Sequence, residues 1–122
     1  MKLALEFRKR IPFLRLIPDK VYFDLNFDEF FLPDDEINEL RKSLESMLNH
    51  YVMTYKTNGF DDKMPKEKHL CFNLEIAELN VRQMKILSDF ESIAKRKGVS
   101  FCVYRKPLKL VPQIDLKAFP RY

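Results

Sequence analysis

The sequence predicts a two-layer α+β domain: a four-stranded, mainly antiparallel sheet with two helices on one face, in the order ββαβαβ, and an extended C-terminal tail. Three observations lead there. Four stretches alternate apolar and polar residues, the pattern of strands that bury one face only. Two segments carry apolar residues at helical spacing, and 122 residues leave room for a single core. Clean alternation favours antiparallel pairing with one open face over a parallel sheet covered on both sides, so both helices are expected on the same face.

Taken in order, Leu3, Leu5 and Phe7 mark the first strand, and Val21, Phe23, Leu25 and Phe27 the second. A helix follows from Asp34 or Asp35 as N-cap, with acids in its first turn. Its stripe is Ile37, Leu40, Leu44, Met47, Leu48, Tyr51 and Tyr55, which carries it to about Lys56. Residues 57–68, with Asn58-Gly59, Asp61, Asp62 and Pro65, read as a polar loop. The third strand presents Leu70, Phe72, Leu74 and Ile76. Asn80 and Gln83 form a capping pair for the second helix, whose apolar face is Met84, Leu87, Phe90, Ile93 and Ala94. Lys95, Arg96 and Lys97 suit its negative C-terminal pole, and Gly98 can take the left-handed conformation that ends it. Val99, Phe101 and Val103 form the fourth strand, reached from the third by a connection long enough for a right-handed crossover between parallel strands. The domain spans 1–106. In the tail, 107–122, Pro107, Pro112 and Pro120 oppose a helix, while Leu108, Leu110, Ile114 and Leu116 call for burial. It either packs on the domain as an edge strand or strap, or docks a partner.

Composition narrows the function. No apolar run is long enough to span a membrane, and the start lacks the apolar region of a secretory leader, so a cytoplasmic protein with reduced cysteines is expected. Only two glycines, Gly59 and Gly98, are present, each alone, which excludes phosphate-cradling glycine loops. The net charge of +4 conceals a sharp segregation. Residues 1–20 carry six Lys/Arg against two acids, 81–100 five against two, and 101–122 five against one. Residues 21–40 hold seven acids and no Lys or Arg.

The outward side chains of the expected sheet would gather Tyr22, Asp24, Asn26, His69, Cys71, Asn73, Glu75, Ser100, Cys102 and Tyr104 on one open face. Zinc binding there lacks a close Cys or His pair, since Cys71 and Cys102 lie far apart in sequence. A Cys71 nucleophile with His69 as base lacks the helix N-terminus or nest that would stabilise an oxyanion. Two ordinary reduced cysteines are the plainer reading. His50 is a boundary residue of the first helix, Glu75 and Glu78 point to opposite faces of a strand, and no serine occupies a nucleophile elbow. No enzyme motif, metal site or cofactor site emerges.

Binding is better supported. Arg8, Lys9, Arg10, Lys95, Arg96, Lys97, Arg105 and Lys106 would converge as a phosphate-binding surface, with Tyr22 and Tyr104 exposed to stack bases. The leading candidate is the acidic segment, where Asp24, Phe27, Asp28, Glu29, Phe30, Phe31, Asp34, Asp35 and Glu36 interleave large aromatics with charge of one sign. That composition suits an interface for a basic protein, with aromatic anchors and carboxylates steering the encounter. Alternatively the phenylalanines plug the core while Asp34, Asp35 and Glu36 satisfy a helix N-terminus, and the two readings are compatible.

The run Ser92-Ile93-Ala94-Lys95-Arg96-Lys97-Gly98-Val99-Ser100-Phe101-Cys102-Val103-Tyr104 resembles the closing helix and strand of barstar-type inhibitors and of small α+β immunity proteins. The resemblance implies a small protein that neutralises a toxin, usually a nuclease, by covering its active site with acidic and aromatic groups. It carries over no binding residue, because no inhibitory segment aligns. The net positive charge departs from such inhibitors, and only the acidic segment answers that departure.

Overall fold

The structure, a computed structural model, describes residues 2–111. The first expected strand is a helix, α1 (Lys2–Arg10). Its buried residues are Ala4 and Phe7, three apart as one helical face requires, while Leu3 and Leu5 stay 41% and 55% exposed. Pro12 opens a 3-10 turn, Pro12–Leu16, since it has no N–H to give a continuing helix. The second expected strand is likewise absent. Its residues form a one-turn helix, α2 (Asp19–Tyr22), and then a 3-10 turn at Phe27–Glu29 in which the Asp28 N–H donates to the Asn26 side chain.

Helix α3 (Asp35–Leu48) begins where expected: the Asp34 carboxylate accepts the Ile37 N–H at 2.9 Å. It stops much earlier than Lys56. Asn49 turns left-handed at φ 56°, a conformation asparagine tolerates better than most side chains, and the chain enters strand β1 (Tyr51–Lys56). Two 3-10 turns follow, Lys66–Lys68 within the expected polar loop and Leu70–Phe72 at the start of the third expected strand, whose Leu74 and Ile76 make only isolated bridges. Helix α4 (Val81–Ala94) carries the capping box of Asn80 and Gln83 in full. After a short turn at Lys95–Lys97, Gly98 is left-handed at φ 74°, and β2 (Val99–Tyr104) follows as expected.

The α+β class therefore stands, but among the described residues the sheet has two strands, not four. β1 and β2 pair antiparallel, from Tyr51 opposite Tyr104 to Lys56 opposite Val99. Single antiparallel bridges flank them, Phe30 with Tyr55 on one side and Ile76 with Tyr104 on the other, while Leu74 bridges Leu110. The parallel crossover is thereby overturned, because the chain before α4 meets β2 antiparallel. The tail touches the domain at Leu108, which packs on the first core, and over 109–111, where the Lys109 carbonyl accepts the Glu75 N–H, Leu110 bridges Leu74 and the Val111 N–H donates to the Asn73 carbonyl; Pro112, Ile114, Leu116 and Pro120 lie outside the described residues.

The expectation of one open sheet face also fails. Met53 and Tyr104 face a core built with Phe7, Ile11, Leu14, Tyr22 and Phe30, so α1 and the turns after it cover the face expected to be bare. Val52, Val99, Phe101 and Val103 face a second core with Ile37, Leu44 and Leu48 of α3 and Ala94 of α4. A ribbon covered on both sides needs apolar side chains at both parities, which Tyr51-Val52-Met53 supplies.

Candidate functional site

The 3-10 turn at Phe27–Glu29 sorts the acidic segment. Phe27 and Phe30 join the first core, where Phe30 is 2% exposed and packs edge-on to Phe7 and Tyr55. Phe31 packs on the second core, donating its N–H to the Thr54 carbonyl and accepting the Thr54 hydroxyl proton on its own carbonyl at 2.7 Å. The three phenylalanines thus bind the segment to both cores.

Its carboxylates divide into committed and free groups. Asp24 pairs with Lys68. Asp34 caps α3 and takes Lys97 at 2.9 Å, and Lys97 also reaches Glu36 at 3.1 Å. The Ile37 N–H and then Lys97 hold the Asp34 carboxyl below the usual range, and the bonds from Lys97 to Asp34 and Glu36 raise Lys97. The acidic segment and the basic helix end, opposite blocks in the sequence, meet there. Asp28 and Asp35 are exposed and make no ion pair among the described residues.

The other candidate basic residues are largely engaged. Arg8 bonds Asp19 and the Ile17 carbonyl, with its guanidinium 4.0 Å above the Tyr22 ring. Arg10 donates to the Pro33 carbonyl, and Lys9 approaches Glu6 at 3.8 Å. Arg105 pairs with Glu75 at 2.7 Å, holding that carboxyl below its usual range with help from Lys109. Lys106 gives its backbone N–H to His50 Nδ1 and lays its ammonium over Tyr51. Lys95 and Arg96 are exposed and without an ion pair among the described residues.

Glu29 goes inward. Its Oε2 meets His69 Nδ1 at 2.9 Å, both side chains are fully buried, and the remaining atoms Glu29 Oε1 and His69 Nε2 have no hydrogen-bond partner among the described residues. Burial pushes the Glu29 carboxyl up, and His69 only partly offsets it. Phe60 stacks on the imidazole at 4.2 Å between centroids, and Phe72 meets it edge-on at 5.9 Å. Gly59 is required here, because a Cβ would lie 2.8 Å from the Glu29 carbonyl oxygen. The loop is thereby pressed onto the acidic segment, and the Asn26 N–H donates to the Lys68 carbonyl beside it.

The outer side of this contact is unusual for a surface. Phe60 is 51% and Phe72 37% exposed, so two large rings on a buried polar pair remain half open to water. Asp28 precedes Glu29, and Asp61 and Asp62 follow Phe60, all three exposed, while the Lys66 ammonium lies 5.5 Å from the Phe72 ring. The polar loop hid this face from sequence reading, and Phe72 was expected inward. The detectable signal was a phenylalanine inside an otherwise polar turn.

The open face expected to carry chemistry is not formed. Tyr22 and Tyr104 are fully buried, not exposed for base stacking: the Tyr22 hydroxyl donates to the Ala4 carbonyl, and those of Tyr104 and Tyr55 bond each other. Burial pushes Cys71 up to about 11 and raises Cys102 too, so neither thiol is activated. His69 Nε2 has no hydrogen-bond partner among the described residues, so no bond joins it to Cys71. Among the described residues no three or more His, Cys, Asp or Glu side chains gather as metal ligands, and no helix is long and apolar enough to cross a membrane. No family model, curated protein or solved structure matches the chain.

Proposed function

We propose that this protein is a non-catalytic binding module for a protein partner with a basic surface, acting as an immunity or antitoxin-like inhibitor. The supporting observation is the pair of half-exposed rings, Phe60 and Phe72, together with the exposed acids Asp28, Asp61 and Asp62. Aromatic anchors give an interface its affinity and neighbouring carboxylates steer the encounter with a basic partner, here beside a single-ring cation contact, Lys66 over Phe72. Asp35 and Glu36 extend the negative surface along the first turn of α3. The resemblance of residues 92–104 to barstar-type inhibitors supports the inhibitory role.

The test is affinity capture from a lysate of the source cells with the full chain and with an Asp28→Lys, Asp61→Lys, Asp62→Lys variant. Glu29 and Asp34 are left intact because one is buried and the other caps α3. The expected result is one protein of basic surface, retained by the wild type and lost by the variant, that arrests growth when expressed alone and is harmless when co-expressed with this chain. Equal retention by both proteins refutes the acidic face. Nucleic acid bound with steep salt dependence and released by Lys95→Glu and Arg96→Glu refutes protein binding in favour of the phosphate-binding alternative.

A further inference from the structure

Glu29 and His69 sit where three separate segments meet. Glu29 belongs to the turn at 27–29, His69 lies between the turns at 66–68 and 70–72, and Phe60 stacks on the imidazole from the loop between them. Their bond is therefore a clasp whose loosening lets the loop and its ring lift away. With one proton, on Nδ1 and donated to an ionised Oε2, the pair carries a net negative charge inside the protein. Oε1 then has no donor among the described residues, which is a costly way to bury a carboxylate. A second proton from solvent makes the pair neutral overall and removes that cost.

The surroundings do not supply the missing charge. Lys68 is held by Asp24, and Lys66 lies over the Phe72 ring at 5.5 Å; neither is bonded to Glu29. Tyr55 from β1 and Cys71 from the neighbouring turn interact electrostatically with Glu29, and both are neutral near neutral pH because burial raises them. Asp28 beside it and Asp61 and Asp62 on the loop contribute only negative potential.

We propose that the Glu29–His69 pair is a pH-sensitive latch: doubly protonated, it holds the 57–65 loop and the Phe60 ring against the acidic segment, and loss of its second proton as pH rises frees them. The raised Glu29 pKa agrees in sign. A group raised in the folded state contributes stability that is complete below its unfolded value and disappears as pH climbs through the folded one. That the freed rings are a partner-binding face rests on the function proposed above; the latch does not, and its test uses no partner.

The experiment is amide hydrogen exchange by NMR on the free full chain, wild type and Glu29→Gln, from pH 4.5, the ordinary value from which Glu29 is raised, up to about pH 8, with protection corrected for intrinsic rates. Asn26, whose N–H bonds the Lys68 carbonyl, and His69, whose N–H bonds the Lys66 carbonyl, report on the clasp. Met53 and Cys102, opposite each other in the ribbon, are controls. In the wild type the reporters should lose about tenfold protection per unit of displaced titration as pH rises, with the controls unchanged. In Glu29→Gln they should stay protected throughout. Wild-type reporters that do not change, or that change equally in the variant, overturn the latch. Should Glu29→Gln not fold, the ¹³C shift of the Glu29 side-chain carboxyl decides: a midpoint coincident with the loss of protection supports the latch, and a separate midpoint refutes it.

Discussion

Replacing His69 by leucine tests whether the buried pair is coupled as its geometry implies. The substitution leaves Glu29 fully buried with Oε1 already lacking a partner and Oε2 now lacking one too. Breaking a buried pair from one side costs about 3–5 kcal/mol, and loss of the ring contact with Phe60 adds about 1 kcal/mol. Glu29→Leu is milder at about 1–3 kcal/mol, since it orphans a neutral imidazole N–H. The double variant buries no polar group at the site and should lie within about 1 kcal/mol of the wild type after the lost stacking is counted. The singles therefore sum to far more than the double. A chain of 122 residues has about 6–18 kcal/mol of stability to measure against. The assay is urea unfolding followed by far-ultraviolet circular dichroism at neutral pH, with equal m-values as the condition for comparison. The His69→Leu deficit should also shrink on acidification, because Glu29 can then protonate. Energies additive within about 0.5 kcal/mol would refute the coupling.

Other outcomes follow from the same contacts. Leu44, fully buried between α3 and the ribbon, should cost about 2–5 kcal/mol as alanine, read as a lower urea midpoint; a change below about 1 kcal/mol would contradict the second core. Cys71, pushed up to about 11 from 9.0, should alkylate with iodoacetamide near pH 8 about a hundredfold more slowly than a free thiol, and equal rates would show that it is not shielded. Asp34 and Glu75 are held below 3.8 and 4.5 by their partners, so their contributions are present above those values and vanish as pH falls through the folded ones. Asp34→Asn and Glu75→Gln should accordingly flatten the acid limb of stability measured by thermal melts, and an unchanged limb would show that these bonds are not maintained in solution.

The parts of the fold legible in sequence are those specified locally. Asn80 with Gln83, the Asp34 cap, Gly98 and the alternation of Val99, Phe101 and Val103 each act within one or two turns of chain, and each recurs in the structure. The misread strands share one cause. Leu70, Phe72, Leu74 and Ile76 alternate in sequence, yet Leu70 and Leu74 are buried while Phe72 and Ile76 are exposed, so the true period is four. A short apolar run fits either period, and only the partner surface decides. Tyr51 and Tyr55 continue the apolar stripe of α3 by coincidence, so the helical pattern runs on past the stop at Asn49. At the candidate site the acidic segment was visible, but Glu29 meeting His69 and Gly59 admitting the loop depend on contacts far apart in sequence.

The buried tyrosines make the molecule its own indicator. The chain has five tyrosines and no tryptophan, so tyrosine dominates its near-ultraviolet absorbance and fluorescence. Tyr22 is pushed up to about 12, and Tyr55 and Tyr104 are raised well above 10.0 by burial. In an alkaline titration these phenols stay dark at 295 nm, where phenolate absorbs, until the first core, to which all three belong, opens. Spectrophotometry without any label then marks the pH at which that core first admits water.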